Sequence, residues 1–356
     1  MSIQDVLRHA IEIKASDVIL VPGLPVSYKA GGSIHRDEDV RQTPDSIQEM
    51  VREMYEYAGH RSMDMVAEGD DDFSFSLPGL ARFRINVFKQ RNSLASVIRI
   101  VSFDLPDRHD LCIPDNVMAF AQYTRGLVLV TGPAGSGKST TLACLIDAIN
   151  STRNAHIITI EDPIEYLHHH KMSVVTQREI ETDTESYASA LRSALRQAPD
   201  VILLGEMRDY EAIKAAVTAA ETGHLVISTL HTTGAVNTVD RIIDSFPPAQ
   251  QQQIRIQLSM VLQGVVSQQL VPRIGGGETP AFEVVVCNNA IRNMIRESNI
   301  HQMESIIYSS SSEGMITMDT GLLNLVKENR ITPETAVHAA MNKEQMQKRL
   351  GTNIPV

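Results

Sequence analysis

From residue 132 the chain reads Gly132-Pro133-Ala134-Gly135-Ser136-Gly137-Lys138-Ser139-Thr140, which matches the pattern GxxxxGK[ST]. The stretch follows an apolar run, Leu127–Thr131, and opens a helical pattern at Lys138, which is the context that a phosphate-binding loop requires. Glycines allow successive backbone N–H groups to surround a phosphate, and the helix N-terminus adds about half a positive charge. We therefore predict that residues 132–140 bind a nucleotide, with Lys138 at the β/γ oxygens and Ser139 at Mg²⁺. A glycine-rich turn that matches by chance is the less favoured alternative.

Apolar strand-like runs alternate with helical patterns after Arg125. The predicted strands are 127–131, 157–160, 201–204 and 225–230. The predicted helices start at Lys138, near Ser186 and at Tyr210. This alternation is typical of βαβ units and of a largely parallel sheet covered by helices. A hairpin is predicted around Gly275-Gly276-Gly277, and residues 290–349 are predicted to be mostly helical.

The first hundred residues predict a smaller α+β unit. Ser2 and Asp5 form a capping box before one amphipathic helix, and Thr43-Pro44 begins a second. From Asp72 to Val101 the apolar residues follow a period of two, which predicts antiparallel strands. The charged, proline-containing segment 102–114 is the predicted linker. We therefore expect two domains, 1–110 and 111–356.

The composition argues against several classes of protein, including nucleic-acid-binding and disulfide-stabilised proteins. The 356 residues carry 32 basic and 43 acidic side chains, a net charge of −11, with 4% aromatic residues and no Trp, which disfavours direct binding of nucleic acid. Three dispersed cysteines predict a reducing compartment with neither disulfides nor structural zinc. We see no secretory signal and no apolar run of about 20 residues. A cytoplasmic protein that reaches a membrane only through a partner is expected.

Carboxylates follow two of the predicted strands. Glu206 lies just beyond strand 201–204, while Glu161 and Glu165 follow strand 157–160. The carboxyl ends of parallel strands meet at one edge of a sheet, and ligands bind there. Glu206 is predicted to polarise water or help hold the metal shell, and Glu161 and Glu165 to coordinate metal-bound water or orient the attacking water. The alternatives are a helix-capping carboxylate at Glu206 and a solvated acidic loop after strand 157–160.

Histidines flank the predicted strand 225–230. His231 follows it, where a neutral imidazole could hydrogen-bond a γ-phosphate and report its loss. His224 precedes it, and a histidine that binds the end of the preceding helix explains this position equally well. The run His168-His169-His170 is interpreted as a polar loop, because adjacent residues do not converge easily on one metal ion.

Arginines are concentrated in the strand region of the first domain. Arg82 and Arg84 alternate along one strand and so share a face, while Arg91 and Arg99 lie nearby in sequence. A phosphoryl transition state needs a cation that the phosphate loop does not supply, and an arginine from a neighbouring domain or subunit is the usual source. A solvated strand face is the alternative.

Together these motifs resemble the secretion ATPase superfamily, which includes the motors of type II and type IV secretion and of type IV pili. The resemblance runs from Ala15-Ser16-Asp17 to about Lys327. Its ordered motifs are the phosphate loop, an acidic box at 161–165, a Walker B segment at 200–209 and a histidine box at 223–233. It implies an α/β protein in which a small N-terminal PAS-like α+β domain precedes a RecA-like P-loop ATPase domain. It also implies hydrolysis of ATP with Mg²⁺ and a ring-shaped homohexamer.

The resemblance further implies roles for individual residues. The implied catalytic residues are Glu206, Glu161, Glu165, His231, His224, Arg82 and Arg99, the two arginines acting in trans. Arg84 and Arg91 are implied nucleotide contacts. Ser139, Glu161 and Glu206 are the implied Mg²⁺ ligands, partly through water.

Residues 290–297 read Ala290-Ile291-Arg292-Asn293-Met294-Ile295-Arg296-Glu297. This stretch resembles the motif AIRNLIRE of pilus retraction motors. Ile291, Met294 and Ile295 form an apolar stripe that leaves Arg292, Arg296 and Glu297 for an exposed face; an ordinary amphipathic surface helix is the alternative. The resemblance implies a motor that drives type IV pilus retraction and twitching motility, acting on an inner-membrane platform protein from the cytoplasmic face of the pilus base.

Other functions stay open. The chain could be a related secretion or pilus-extension ATPase, or an accessory retraction motor. It could also be a nucleotide-binding assembly module with negligible hydrolysis, but Glu206, Glu161 and both box histidines argue against that. A DNA-translocating relative is disfavoured by the acidic charge and the few aromatic residues.

Overall fold

The computed structural model describes residues 2–31, 33–36, 40–59, 69–101 and 105–351. It divides the chain into two compact units, one of residues 1–105 with 165–167 and the other of residues 106–164 with 168–356. The start of the predicted linker, 102–104, lies outside the described residues. Within the described part of the chain, no helix is both long and apolar enough to cross a membrane.

The first unit contains α1 (Ile3–Glu12), β1 (Asp17–Leu20), β2 (Ser27–Ala30), β3 (Ser33–His35), α2 (Pro44–Ala58), β4 (Asp70–Leu77), β5 (Ala81–Gln90) and β6 (Ser93–Val101). The described strands form an antiparallel sheet in the order β3-β2-β1-β6-β5-β4. Ser2 and Asp5 make the predicted capping box of α1, and Thr43 caps α2. Both caps satisfy backbone N–H groups that the first helical turn leaves unpaired.

The two faces of this sheet differ in chemistry, as β5 shows. Phe83 and Ile85 are fully buried in a core with residues of α1 and α2. Full burial of such a side chain contributes about 1.5–3 kcal/mol. Arg82, Arg84 and Asn86 alternate with them and lie on the opposite face. Arg82 and Arg84 therefore share one face, as the sequence predicts.

The second unit begins with α3 (Asp115–Met118), a 3₁₀ turn (Ala119–Gln122), β7 (Gly126–Thr131), α4 (Lys138–Thr152), β8 (His156–Glu161), β9 (Val174–Glu179), α5 (Tyr187–Ala194), β10 (Val201–Leu204), α6 (Tyr210–Glu221) and β11 (Leu225–Leu230). It continues with α7 (Ala235–Asp244), α8 (Pro248–Val261), β12 (Leu262–Pro272), β13 (Glu278–Val286), α9 (Asn289–Arg296), α10 (Met303–Ser309), α11 (Met318–Lys327), α12 (Pro333–Ala339) and α13 (Lys343–Leu350).

Its sheet runs in the order β13-β12-β7-β11-β10-β8-β9 and is parallel except for β13, which pairs antiparallel with β12. The central strand β7 is buried along its whole length. Leu127 and Leu129 pack into one core cluster, whereas Val128 and Val130 pack into another on the other face. Burial on both faces explains why β7 is continuously apolar. The more polar edge strand β9 has no such pattern and was not predicted.

The parallel strands direct their carboxyl ends toward one edge of the sheet. β7 leads into the phosphate loop, β8 ends at Glu161, β10 precedes Glu206, and β11 precedes His231. At the other side of the sheet, α11, α12 and α13 pack against β12 and β13. The small apolar cluster that they form includes Met318, Leu322, Val337 and Met346. The topology thus gathers four sequence-distant motifs at one edge.

Candidate nucleotide site

The phosphate loop closes around the amine of Lys138. Lys138 Nζ donates to the carbonyl oxygens of Gly132 at 2.9 Å and Pro133 at 2.8 Å. Gly137 precedes α4 with φ = 86°, and a Cβ added at Gly132 would collide with the carbonyl oxygen of Gln268. Both positions therefore require glycine. The buried Ser136 hydroxyl has no hydrogen-bond partner among the described residues, so the loop offers an unsatisfied polar group as well as its backbone.

Gln268 on β12 supports the loop, and the sequence did not identify it. Its Oε1 accepts a 2.7 Å hydrogen bond from the Thr141 hydroxyl, and both residues are buried. Buried polar groups are nearly always hydrogen-bonded, so this pair holds α4 and the loop against the sheet. The available signal was a polar side chain in a largely apolar strand, but its partner lies more than a hundred residues earlier.

Three predicted site residues meet at the sheet edge. His231 Nε2 lies 3.0 Å from Glu206 Oε1, and His231 Nδ1 lies 3.5 Å from Lys138 Nζ. Because an ammonium can only donate, the facing Nδ1 must accept, which places the imidazole proton on Nε2. His231 therefore donates to the Glu206 carboxylate and connects it to the phosphate-loop lysine.

Arg208 extends this row of groups, although it was not among the predicted site residues. Its Nε donates to Glu206 Oε2 at 2.7 Å, and its Nη1 lies 3.7 Å from Asp162 Oδ2. The hydrogen bond to Glu206 raises the pKa of Arg208, so the guanidinium stays charged. Arg208 thus joins the Walker B carboxylate to the acidic box. The signal in the sequence was an arginine two residues after a strand-end glutamate.

Glu161 is oriented by a residue of its own strand, β8. The hydroxyl of the fully buried Thr159 donates to Glu161 Oε1 at 2.6 Å, and Gln177 Nε2 lies 3.4 Å from the same oxygen. Nearby, a Cβ added at Gly205 would lie 3.2 Å from the Tyr187 hydroxyl. Burial, reinforced by the negative charge of Asp162, raises the pKa of Tyr187 and keeps the phenol neutral. Tyr187 therefore places a neutral hydroxyl group near these carboxylates.

Glu165 falls in the segment 165–167, which groups with the first unit. His224 is not brought to this edge of the second unit. His224 Nδ1 lies 3.0 Å from the carbonyl of Ala219 and 3.1 Å from the Thr222 hydroxyl, at the end of α6. It precedes β11, whereas His231 follows it, and six strand residues separate them by roughly 20 Å. These contacts correspond to the second of the two interpretations given above, a histidine that binds the end of the preceding helix. The geometry of the second unit does not support a catalytic role for His224.

The predicted arginines lie on the polar face of the first unit, and three of them cluster. Arg84 and Arg99 stand directly opposite each other on β5 and β6, with Arg82 one alternate position along. Arg99 Nε forms a 3.0 Å ion pair with Asp17 Oδ1. Arg91 is separate, because with φ = 48° it occupies the tip of the β5–β6 turn, seven residues or about 23 Å along the strand from Arg84.

The histidine run 168–170 is a backbone-anchored loop. Asn150 Nδ2 donates to the carbonyl of His169 at 2.7 Å, and His170 Nδ1 accepts from the Val175 N–H at 3.1 Å. Burial lowers the pKa of His168 to about 4. No cluster of metal-ligating side chains occurs in the described ranges, and the three cysteines are free thiols.

A cavity of about 240 Å³ adjoins the phosphate loop within the second unit. Gly137, Thr140 and Thr141 form its loop side, and Leu270 and Pro280 contribute apolar surface. Its charged lining residues are Arg273, Arg330, Asp110 and Glu278. The cavity therefore presents apolar surface and charges of both signs beside the helix N-terminus.

Helix α9 contains residues 290–296, Glu297 is its C-cap, and one expectation for this segment is wrong. Arg292 is half-buried and does not belong to an exposed face: its Nη1 donates to the carbonyls of Ser259 at 2.8 Å and Met260 at 2.9 Å, and its Nη2 to Gln263 Oε1 at 3.0 Å. It therefore caps the C-terminal end of α8. Arg296 and Glu297 are exposed, as expected, and Ile291 and Ile295 are buried.

Residues 2–347 match the family model of type II/IV secretion system proteins. The chain belongs to this family. It is 43% identical to the type IV pilus retraction ATPase PilT of Pseudomonas aeruginosa, over 94% of this chain and 97% of PilT. It is 37% identical to the type IV pilus ATPase PilU of the same organism, over 99% of this chain and 92% of PilU.

Solved structures agree with this assignment. The crystal structure of the pilus retraction motor PilT with bound ADP matches with a TM-score of 0.87 and 45% identity, covering 98% of this chain and 99% of PilT. The Legionella pneumophila ATPase DotB matches with a TM-score of 0.73 and 26% identity, covering 94% and 95% of the two chains. The predicted superfamily, the N-terminal domain followed by a P-loop ATPase domain, and the ATPase class are confirmed.

Proposed function

We propose that this protein is a homohexameric motor that hydrolyses ATP to retract a type IV pilus. The observation that carries the chemistry is the connected row Lys138–His231–Glu206, which links a phosphate loop to a carboxylate at the same sheet edge. The observation that favours retraction is similarity to PilT along nearly its whole length. The motor would act from the cytoplasmic face of the inner membrane on a platform protein at the pilus base.

The second unit fits a magnesium nucleotide. Residues 132–140 would surround the phosphates, Lys138 would bind the β/γ oxygens, and the cavity lined by Thr140 and Leu270 would receive the nucleoside. Mg²⁺, when bound, neutralises charge on the β- and γ-phosphates. Ser139 would bind it directly, while Glu161 and Glu206 would act partly through water, since Mg²⁺ retains several waters in such sites.

Glu206 is the proposed group that positions the attacking water and accepts its proton. His231 and Arg208 each bind one of its oxygens, so the carboxylate is held in place from two sides. Glu161, oriented by Thr159, would bind a second water at the same edge. The donor on His231 Nε2 can move to a phosphate oxygen, and His231 would thereby report the presence of the γ-phosphate.

Arg82, Arg84 and Arg99 are proposed to act on a nucleotide bound by a neighbouring subunit. Their clustering on one face of the first unit supports this, since convergent guanidinium groups suit a phosphate. Asp17 would hold the Arg99 side chain in place through its Nε. Arg91, on the turn, would contact nucleotide separately from them.

Residues 290–297 are proposed to serve retraction through their exposed members, Arg296 and Glu297, while Arg292 keeps α8 and α9 together. An accessory retraction motor is the second candidate, and the similarity to PilU favours it over an extension ATPase.

Genetic replacement together with ATPase measurements tests the proposal. Lys138→Ala should lose nucleotide affinity, whereas Glu206→Gln should bind MgATP and fail to hydrolyse it. Cells that carry either variant in place of the gene should keep surface pili and lose twitching, while wild-type cells retract. Equal turnover by wild type and Glu206→Gln would remove Glu206 from the mechanism, and twitching retained after deletion of the gene would leave only an accessory role.

A further inference from the structure

Glu283, on β13, is a buried carboxylate that binds the starts of two helices. Its side chain is 8% exposed. Oε1 accepts the backbone N–H of Ala235 at 2.7 Å, and Oε2 accepts that of Met318 at 3.4 Å. Ala235 is the first residue of α7 and Met318 the first of α11. One carboxylate therefore serves the positive ends of two helices from different parts of the chain.

The hydrogen bond between Glu283 and Ala235 fixes the start of α7, which closely follows the histidine box in the chain. The segment between His231 and α7 is short, and the Gly234 N–H donates to the Ser267 hydroxyl at 2.9 Å. Ser267 stands opposite Glu283 in the β12–β13 ladder. The Thr232 hydroxyl lies 2.7 Å from that of Thr238 within α7. The loop that carries His231 is thus fixed to the same point of the hairpin as α7.

The hydrogen bond between Glu283 and Met318 fixes the start of α11, which is itself bonded to the helices that follow it. Asp319 Oδ1 accepts the N–H of Met341 at 2.7 Å, and Oδ2 accepts that of Asn342 at 3.1 Å. Asn342 is the N-cap of α13. The start of α11 is therefore tied to the start of α13 by two further charge-assisted hydrogen bonds.

A buried carboxylate makes these two contacts interdependent. Burial raises the pKa of Glu283, and the N–H groups of Ala235 and Met318 act against that shift. Loss of either donor leaves a buried oxygen without its partner, which is costly in a water-free interior. If α7 moves, α11 must therefore either resist the movement or move with it.

We propose that Glu283 is a positioning residue that couples the His231 loop to α11–α13, so that nucleotide at the phosphate loop alters the stability of the C-terminal helices. The inference rests on the proposed function only in its use of His231 as the group that responds to nucleotide. It gives the C-terminal helices a part in the motor that the sequence motifs do not assign.

Amide hydrogen exchange across residues 318–350 tests the coupling in the full-length protein, with and without saturating MgAMP-PNP. Glu283→Gln keeps one acceptor oxygen but turns an NH₂ group toward the other helix N–H. Glu211→Gln, at an exposed position of α6, removes the same charge without touching either N–H and is the control. Nucleotide should change exchange in residues 318–350 about fivefold or more in wild type and in Glu211→Gln, and not in Glu283→Gln. Turnover should fall in Glu283→Gln with the KM for MgATP kept.

An unchanged nucleotide response in Glu283→Gln, or no response in wild type, overturns the inference. If Glu283→Gln does not fold, Asp319→Asn replaces it: the response of α13 should be lost while α7 still responds, and a preserved response in α13 overturns the inference. Failure of the proposed function looks different. In that case wild type would bind MgAMP-PNP and show the coupled exchange, yet hydrolyse no ATP.

Discussion

Thr159→Val removes one hydroxyl beneath the acidic box and leaves the shape of the side chain unchanged. Thr159 is fully buried in β8 and donates a 2.6 Å hydrogen bond to Glu161 Oε1. A hydrogen bond to a charged group contributes about 1.5–3 kcal/mol. If Glu161 orients water or metal in the transition state, the same free energy corresponds to a loss of roughly 10- to 150-fold in kcat.

Steady-state hydrolysis of MgATP measures this loss, together with urea unfolding. β11 and β10 lie between β8 and the strand that leads into the phosphate loop, so KM should stay close to the wild-type value while kcat falls. Thr176→Val is the matched control, since its hydroxyl lies 3.0 Å from His156 Nε2 on the neighbouring strand and touches no acidic-box residue. It should alter stability slightly and leave kcat intact.

A kcat for Thr159→Val within about twofold of wild type, in a normally folded protein, refutes the idea that Glu161 depends on Thr159 for its part in the reaction. Equal losses in Thr159→Val and Thr176→Val would instead show that the sheet as a whole had been weakened.

Two further predictions concern stability. Burial lowers the pKa of His168 to about 4, below its ordinary value of 6.5, so the unfolded chain binds the extra proton first as the pH falls. Its contribution to stability is complete above pH 6.5 and is lost toward pH 4. Wild type should therefore lose about 2 kcal/mol more than His168→Asn between pH 7 and pH 5 in urea unfolding, and parallel losses would contradict this. Arg292→Gln should lower the free energy of unfolding by about 1–3 kcal/mol, because it removes the cap of α8. Exposed Arg296→Gln should leave stability unchanged, and similar unfolding curves for the two variants would show that the cap contributes nothing.

Local patterns were sufficient to predict the strand–loop–helix at 127–140 and the sheet edge that it shares with Glu206 and His231. The reason is physical: a parallel sheet must place the residues that follow its strands at one edge, so strand ends identify neighbours without a structure. The capping box of α1 and the helix start at Thr43-Pro44 were predicted as well, because both signals lie within a few residues of each other in the chain.

Contacts between distant segments could not be predicted in this way. Gln268 supports Thr141, and Glu283 joins α7 to α11, across sequence separations for which no periodicity exists. Arg292 was assigned to an exposed face because helical spacing alone cannot show that the end of α8 lies beside it. For His224, the sequence already places strand 225–230 between it and His231, and the structure adds that its ring contacts the end of α6.

Charged groups of opposite sign lie along the site edge, and they connect the phosphate loop to Glu206, the carboxylate that we propose positions water. Lys138 is bound by two neutral carbonyl oxygens, and a phosphate oxygen, being charged, is a stronger acceptor for the same amine. Lys138 also faces His231 Nδ1, while His231 Nε2 binds Glu206 and Arg208 holds the other oxygen of Glu206. If Lys138 turns toward a phosphate, His231 loses one of its two partners, and we expect its contact with Glu206 to change in the same step. On this reasoning a single imidazole links occupancy of the loop to the orientation of Glu206.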